Sequence, residues 1–142
     1  MQIERVTTYS DEVLAALQRL LPQLSPGTTI SEAWLREIVA DTGIHLFVAR
    51  DEEGEIPGTF TLAEEKIPTG LKMWLEDVVV DEKARGKGLG DTIVRYAIDY
   101  ARRRGTKKLD LTSVPERVAA NKLYQKWGFV RRKTNVYRLR FD

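Results

Sequence analysis

Two stretches of this 142-residue chain carry residue types and spacings that could do chemistry. The first runs Val78-Val79-Val80-Asp81-Glu82-Lys83-Ala84-Arg85-Gly86-Lys87-Gly88-Leu89-Gly90-Asp91. Its β-branched start reads as a buried strand that the glycines cannot continue. From Thr92 to Ala101 the apolar spacing is that of an amphipathic helix. A strand, a Gly-rich turn and a helix N-terminus make a phosphate cradle. Glycines let the backbone approach closely and aim successive N–H groups inward, while the helix dipole adds partial positive charge. Arg85 and Lys87 add full charges, so a phosphorylated cofactor is expected on residues 85–91. The second stretch runs Ala119-Ala120-Asn121-Lys122-Leu123-Tyr124-Gln125-Lys126-Trp127-Gly128-Phe129. Asn121 and Tyr124, three apart, share one helix face, and Leu123 and Trp127 form the core-facing stripe.

Between Trp74 and Val78 lie Glu76 and Asp77, adjacent carboxylates in an otherwise apolar strand. Burial would raise such a carboxylate toward the working range of a general base. Adjacent strand residues point to opposite faces, so only one of the pair is expected to face a substrate. The other reading makes one of them an ion-pair partner at a ladder end.

Spacing narrows the cofactor. A P-loop needs Gly-Lys-Ser/Thr at its end, whereas Lys87 precedes the last glycine here. A dinucleotide fingerprint needs a third glycine where Asp91 stands, although Asp110 lies about where a ribose-binding acid would sit. What remains, Arg85-x-x-Gly88-x-Gly90, resembles the pyrophosphate loop of the Gcn5-related N-acetyltransferases, the GNAT superfamily. The second stretch is similar to the A-x-x-[LF]-Y-x-[KR]-x-G-F signature of the same superfamily. The Leu75-Glu76-Asp77 stretch and its distance to Arg85 are similar to those of its polyamine acetyltransferases.

The resemblance implies an acetyl-CoA-dependent N-acetyltransferase with direct transfer from thioester to amine. It implies that Val78, Val79, Val80, Arg85, Gly86, Lys87, Gly88, Leu89, Gly90, Asp91, Asn121 and Tyr124 hold acetyl-CoA. The pantetheine arm would pair along the backbone of Val78 and Val80, where the strand splays from its neighbour. Asn121 would contact that arm. Tyr124 would protonate the leaving thiolate as general acid, and Glu76, acting through water, would be the base, with Asp77 second. A core tyrosine satisfied by a carbonyl is the other reading of Tyr124.

The elements that must position these residues follow from periodicity. A short strand spans Gln2 to Thr7. Ser10 caps a helix to about Leu20 with Val13, Leu14, Leu17, Leu20 and Leu21 on one face. Pro22 to Ile30 is a loop. Ser31 opens a second helix to Ala40 with Trp34, Leu35, Ile38 and Val39 inward. Strands follow at His45–Arg50, Ile56–Glu64 and Leu71–Val80. After the Gly-rich loop come the helix to about Arg103, a strand over Lys108–Ser113, a helix over Val118–Trp127, and one or two strands within Phe129–Arg140. The order β-α-α-β-β-β-α-β-α-β(-β) is an α/β (mixed α+β) arrangement of six to seven strands with helices on both faces. It is also the order of the GNAT fold, whose mixed sheet is mostly antiparallel, and it matches residues 1–142 as one domain.

Composition bounds the rest. At 42% hydrophobic and 31% charged the chain is ordinary for a globular protein. No apolar run approaches a membrane span and the first residues lack a signal peptide's apolar core, so no membrane partner and a cytoplasmic location are expected. The chain has no Cys and a single His, so disulfides, thiolate metal sites, an acyl-Cys intermediate and a multi-His metal centre are excluded. His45 reads as a strand residue. The basic groups Arg102-Arg103-Arg104 with Lys107-Lys108, and Arg131-Arg132-Lys133, could touch nucleic acid. Cations at a helix C-terminus account for the first, and no nucleic-acid partner is expected. A non-catalytic CoA-binding sensor or interaction module is the alternative function. The acceptor is expected to be a small-molecule or peptide amine, drawn by acids such as Glu64, Glu65 and Glu76. Trp34, Trp74 and Tyr137 are candidates for lining its pocket. A monomer or a homodimer is expected, the last strand offering a dimer edge.

Overall fold

The computed structural model describes residues 1–142. Five strands form one sheet in the order β1 (Gln2–Arg5), β2 (Ile44–Arg50), β3 (Gly58–Ile67), β4 (Gly70–Val80) and β5 (Leu109–Asp110). The first four pair antiparallel and β4 pairs with β5 in parallel. Four helices complete it: α1 (Asp11–Leu24), α2 (Glu32–Ala40), α3 (Leu89–Arg103) and α4 (Val118–Lys126). No helix is long and apolar enough to cross a membrane.

The alternation of β2 explains the layering. Leu46 and Val48 point into a cluster with Val13, Ala16, Leu17 and Leu20 of α1 and Leu35 of α2. Phe47 and Ala49 point the other way, joining Phe60, Leu62, Met73 and Leu75 against Ile93, Val94, Ala97 and Ala101 of α3. Both faces of the sheet are thus covered by helices, which leaves β2 buried from His45 to Ala49. Phe47 and Phe60 stack with centroids 4.8 Å apart, and Tyr96 and Tyr100 meet Phe47 edge-on.

Several boundaries differ from expectation. α1 runs past Pro22 to Leu24, because proline loses one backbone donor but its fixed φ suits a helix. Trp34 points outward and is 56% exposed, since Leu35, with Ile38 and Val39 partly buried beside it, fills the contact under α2. The strand expected over Lys108–Ser113 shrinks to two residues, and no strand forms beyond Phe129. The sheet therefore has five strands, short of the six to seven expected. From Val130 to Asp142 no backbone group is hydrogen-bonded within the chain, so there is no ladder to define a strand.

His45 belongs to a buried charged cluster on the α3 side, outside the catalytic candidates. Its Nδ1 lies 2.7 Å from Tyr100 Oη and its Nε2 2.8 Å from Glu64 Oε1. The latter contact is not aligned as a hydrogen bond. Arg104 donates to Glu64 at 2.6 Å, so Glu64 is sealed into the fold and unavailable to draw an acceptor. Burial, with the charges of Arg5 and Arg104, pushes the His45 pKa below its ordinary 6.5. Burial opposes ionisation of Glu64, but Arg104 and His45 hold its pKa below 4.5. Below pH 6.5 the unfolded chain binds a proton at this His that the folded chain refuses, so stability is lost as the pH is lowered. A second loss begins as pH falls below 4.5, where the unfolded Glu64 takes a proton first. The melting temperature of the wild type is expected to drop between pH 7 and about 5.5, and that of His45→Gln to stay level across the same window. Equal slopes would remove His45 as the cause.

Candidate active site

The carboxylate pair owes its position to a bulge. β3 and β4 pair Thr61 with Glu76 but Thr59 with Val79, so Phe60 faces two residues, Asp77 and Val78. Asp77 takes φ 50°, left-handed backbone that an aspartate tolerates better than most side chains. The extra residue reverses the strand's parity. Met73 and Leu75 face α3, and after the bulge Val78 and Val80 do so, while Val79 turns into the α1 cluster. Glu76 shares a face with its partner Thr61. Asp77 and Thr61 both line a small cavity with Leu17, Leu21, Ile30, Ile38, Leu46 and Thr59. Both carboxylates therefore stand on the α1–α2 face, contrary to the simple alternation that allowed only one there.

Glu76 is reached by solvent, yet the surrounding protein strips enough hydration from its carboxylate to raise the pKa above 4.5, and the Asp77 charge beside it adds to the shift. The cavity's apolar lining includes Leu17 and Leu21, which spacing alone had marked as core, so nothing in the sequence distinguished them. Tyr137 is 86% exposed on the C-terminal segment and lines no pocket.

The Gly-rich loop follows a short 3₁₀ turn, Glu82–Ala84, capped by Asp81. Arg19 of α1 grips Asp81 and donates to Ile56 O at 2.9 Å, a clamp on the end of β4 that the sequence did not reveal. Arg85 Nε donates to Val80 O at 3.2 Å, which holds its charge against the loop. Gly86 and Gly88 take φ values of 81° and 83°. The N-cap position of α3 is Gly88, which offers no side-chain acceptor. From Gly86 through Asp91, no backbone N–H donates to any group of the protein. Six consecutive amides are thus open, beside Lys87. A depression of about 220 Å³ flanks them, lined among others by Pro57, Ala84, Lys87, Gly88 and Thr92.

α4 is fastened to this loop. A Cβ on Gly90 would lie 3.2 Å from Leu123 Cδ2, so the glycine brings the two helices into close contact there. The Asp91 carboxylate accepts from Lys126 Nζ at 2.8 Å and Trp127 Nε1 at 2.9 Å, which holds its pKa below 3.8. That side chain is a brace, leaving only the Asp91 amide to the cradle. Asn121 is likewise engaged, donating to Val114 O at 3.0 Å. Tyr124 is 8% exposed within the α3-side core, in edge contact with Phe129. Its hydroxyl makes no hydrogen bond within the chain and is not among the sealed polar atoms. Burial pushes its pKa above 10, so the phenol keeps its proton at neutral pH.

β4 pairs with β5 only at Met73–Leu109 and Trp74–Asp110. Beyond Trp74 the edge of β4 toward β5 has no ladder partner, and the Gly-rich loop stands at the end of that opening. Tyr124 packs in the core on the α3 face; Glu76 and Asp77 lie on the opposite face. The two groups can cooperate only across this open edge.

Residues 11–129 match the model of the Acetyltransferase (GNAT) family. The chain is 34% identical over 126 residues to glucosamine 6-phosphate N-acetyltransferase 1 of Oryza sativa subsp. japonica, covering 82% of this chain and 74% of that protein. Among solved structures, a Trypanosoma brucei acetyltransferase superposes with a TM-score of 0.74 at 26% identity, over 99% of this chain and 98% of that one. Glucosamine-6-phosphate N-acetyltransferase from Arabidopsis thaliana superposes with a TM-score of 0.80 over the whole of both chains, and at 24% identity that likeness speaks for the fold. The chain belongs to the GNAT family of acetyltransferases and is, by that membership, an acyltransferase.

Proposed function

We propose that residues 1–142 form one catalytic unit that binds acetyl-CoA and acetylates a primary amine by direct transfer. The observation that carries this reading is the run of six unpartnered amides from Gly86 to Asp91 beside Lys87 and Arg85. A pyrophosphate supplies the acceptors that such a run lacks, and the α3 dipole favours its charge. Val78 to Val80 would hold the pantetheine arm along the unpaired edge of β4, although Val80 O is already taken by Arg85. Asn121 keeps the 114–115 loop clear of that path through its own bond to Val114. When bound, acetyl-CoA supplies an activated acetyl group on a thiol leaving group.

The chain's own residues do the proton work. An amine attacks only as the free base, so a group with a raised pKa must remove its proton, and Glu76 fits this demand. Asp77 raises that pKa further and fixes the bulge. The bulge interrupts the ladder at Asp77–Val78, the place where a backbone N–H can donate to a carbonyl oxygen gaining charge. Tyr124 retains its proton at neutral pH and has no internal partner, as a general acid requires.

The rice relative's name makes glucosamine 6-phosphate the first acceptor to try. The cavity beside Asp77 carries no cation among its lining residues, so unphosphorylated amines belong in the same screen. Titration calorimetry with acetyl-CoA and CoA, followed by thiol release against this panel, tests the reading. Heat from both ligands and amine-dependent thiol release are expected. The absence of heat from either ligand would overturn it.

A further inference from the structure

The C-terminal half of α1 touches the cavity beside Asp77 and the root of the phosphate loop at once. Leu17 and Leu21, four apart on the helix, line that cavity. Gln18 Nε2 donates to Ile30 O at 3.1 Å, which pins the connection into α2 where Ile30 forms part of the same wall. Arg19 and Gln23, also four apart, reach instead to the end of β4. Neither of these two lines the cavity or the depression beside the loop.

The Arg19 guanidinium spans two groups, Nη1 meeting Asp81 Oδ2 and Nη2 donating to Ile56 O at 2.9 Å. Gln23 Oε1 accepts from Glu82 N at 3.0 Å, the amide directly after Asp81. The other Asp81 carboxylate oxygen accepts from Lys83 N at 3.1 Å, which starts the turn of residues 82–84. That short turn delivers Arg85 and the open amides of Gly86 to Asp91. The Arg19 side chain is 44% exposed, and an ion pair so placed adds little to stability. A planar fork that takes a carboxylate and a carbonyl together fixes direction, which a lysine ammonium cannot do. Position is therefore what this contact supplies.

We propose that Arg19 and Gln23 are positioning residues that fasten the phosphate loop to the α1 wall of the acceptor cavity, so that filling the loop stiffens the cavity. The inference rests on the acetyl-CoA reading above and adds to it two side chains outside both pockets. A ligand held on the six amides restrains the turn of 82–84 behind them. Asp81 and the Glu82 amide pass that restraint through Arg19 and Gln23 to α1, and Leu17, Gln18 and Leu21 pass it to the cavity. Without the two side chains the end of β4 keeps its bond from Asp81 N to Pro57 O at 2.8 Å, which does not involve α1.

Amide hydrogen exchange of the full chain with and without acetyl-CoA, read by mass spectrometry, tests this. In the wild type, acetyl-CoA is expected to slow exchange at residues 86–91 and also at residues 17–24 and 29–31. In Arg19→Lys the slowing should persist at 86–91 and disappear from α1. Calorimetry of that variant should show acetyl-CoA affinity lowered about fivefold, with a melting temperature within about 4 °C of the wild type. Gln23→Met leaves the Arg19 fork in place and should lose part of the α1 protection, which carries the test if Arg19→Lys melts early. Wild-type slowing confined to the loop, or variants that protect α1 as fully as the wild type, would overturn the inference and leave acetyl-CoA binding standing. No slowing anywhere, with no heat of binding, would overturn the acetyl-CoA reading and this inference with it.

Discussion

Gly88→Glu with Gly90→Glu is expected to weaken acetyl-CoA binding at least about a hundredfold. Each step has a separate cause. At Gly88 there is open space for a side chain, with no atom within 4 Å, but φ is +83°. Any L side chain there costs about 1–2 kcal/mol of backbone strain. At Gly90 the backbone is helical, and the obstacle is Leu123 Cδ2 at 3.2 Å, so a glutamate there must push the Leu123 side chain aside. Both carboxylates then stand among the open amides of residues 86–91 and compete for them as anions. Hydrogen bonds to a charged group are worth about 1.5–3 kcal/mol each, so losing the equivalent of two removes roughly a hundredfold or more in affinity. Gly88→Ala separates strain from charge. It should lower the melting temperature by roughly 3–8 °C and weaken binding by no more than about tenfold. Calorimetric titration of the three proteins decides: undiminished binding by the double variant would place the phosphates elsewhere.

The parts of the fold that depend on local pattern were legible in the sequence. Ser10 and Ser31 accept from Val13 N and Trp34 N, the capping geometry that their types announced. β2 to β4 and the turn into α3 follow from β-branched runs and glycines in the same way. What was not legible arises from relations between strands. The bulge at Asp77 has no mark in Leu75-Glu76-Asp77-Val78, because it is set by the register against Thr59 and Thr61. It reverses which residues face α1, so the expectation of opposed carboxylates failed for a reason that alternation cannot contain. Glu64 looked like an exposed acid; its burial depends on Arg104, forty residues later. The strands expected within Phe129–Arg140 did not form, because an alternating pattern supplies no ladder partner. The phosphate loop was the reverse case, since its function lies in consecutive amides and glycines and needs no distant partner.

Glu76→Gln is expected to lower kcat by roughly a hundredfold to a thousandfold with little change in acetyl-CoA affinity, and Tyr124→Phe to lower kcat by about tenfold to a hundredfold. The binding readout matters, because Glu76 and the Gly86–Asp91 cradle are built on different elements and should fail separately. The pH profile supplies the sharper test. Burial and the neighbouring Asp77 hold the Glu76 pKa above 4.5, so kcat/KM should rise with pH through that raised value. Asp77→Asn removes the like charge while keeping a residue that tolerates φ 50°, and the acid limb should move to lower pH. A limb that stays in place would remove Glu76 as the titrating base. Stability carries the opposite sign from activity. A carboxylate whose pKa is raised on folding favours the folded state only while protonated, so its ionisation weakens the fold as pH rises through that value. Glu76→Gln should therefore melt above the wild type at neutral pH, and the gap should close on acidification below about 4.5, where the wild-type side chain is neutral as well. A variant that loses turnover while gaining stability in this pH-dependent way identifies an ionised carboxylate that the fold holds at its own cost, as a general base requires. A variant that loses both together at every pH would mark Glu76 as a structural residue of the bulge.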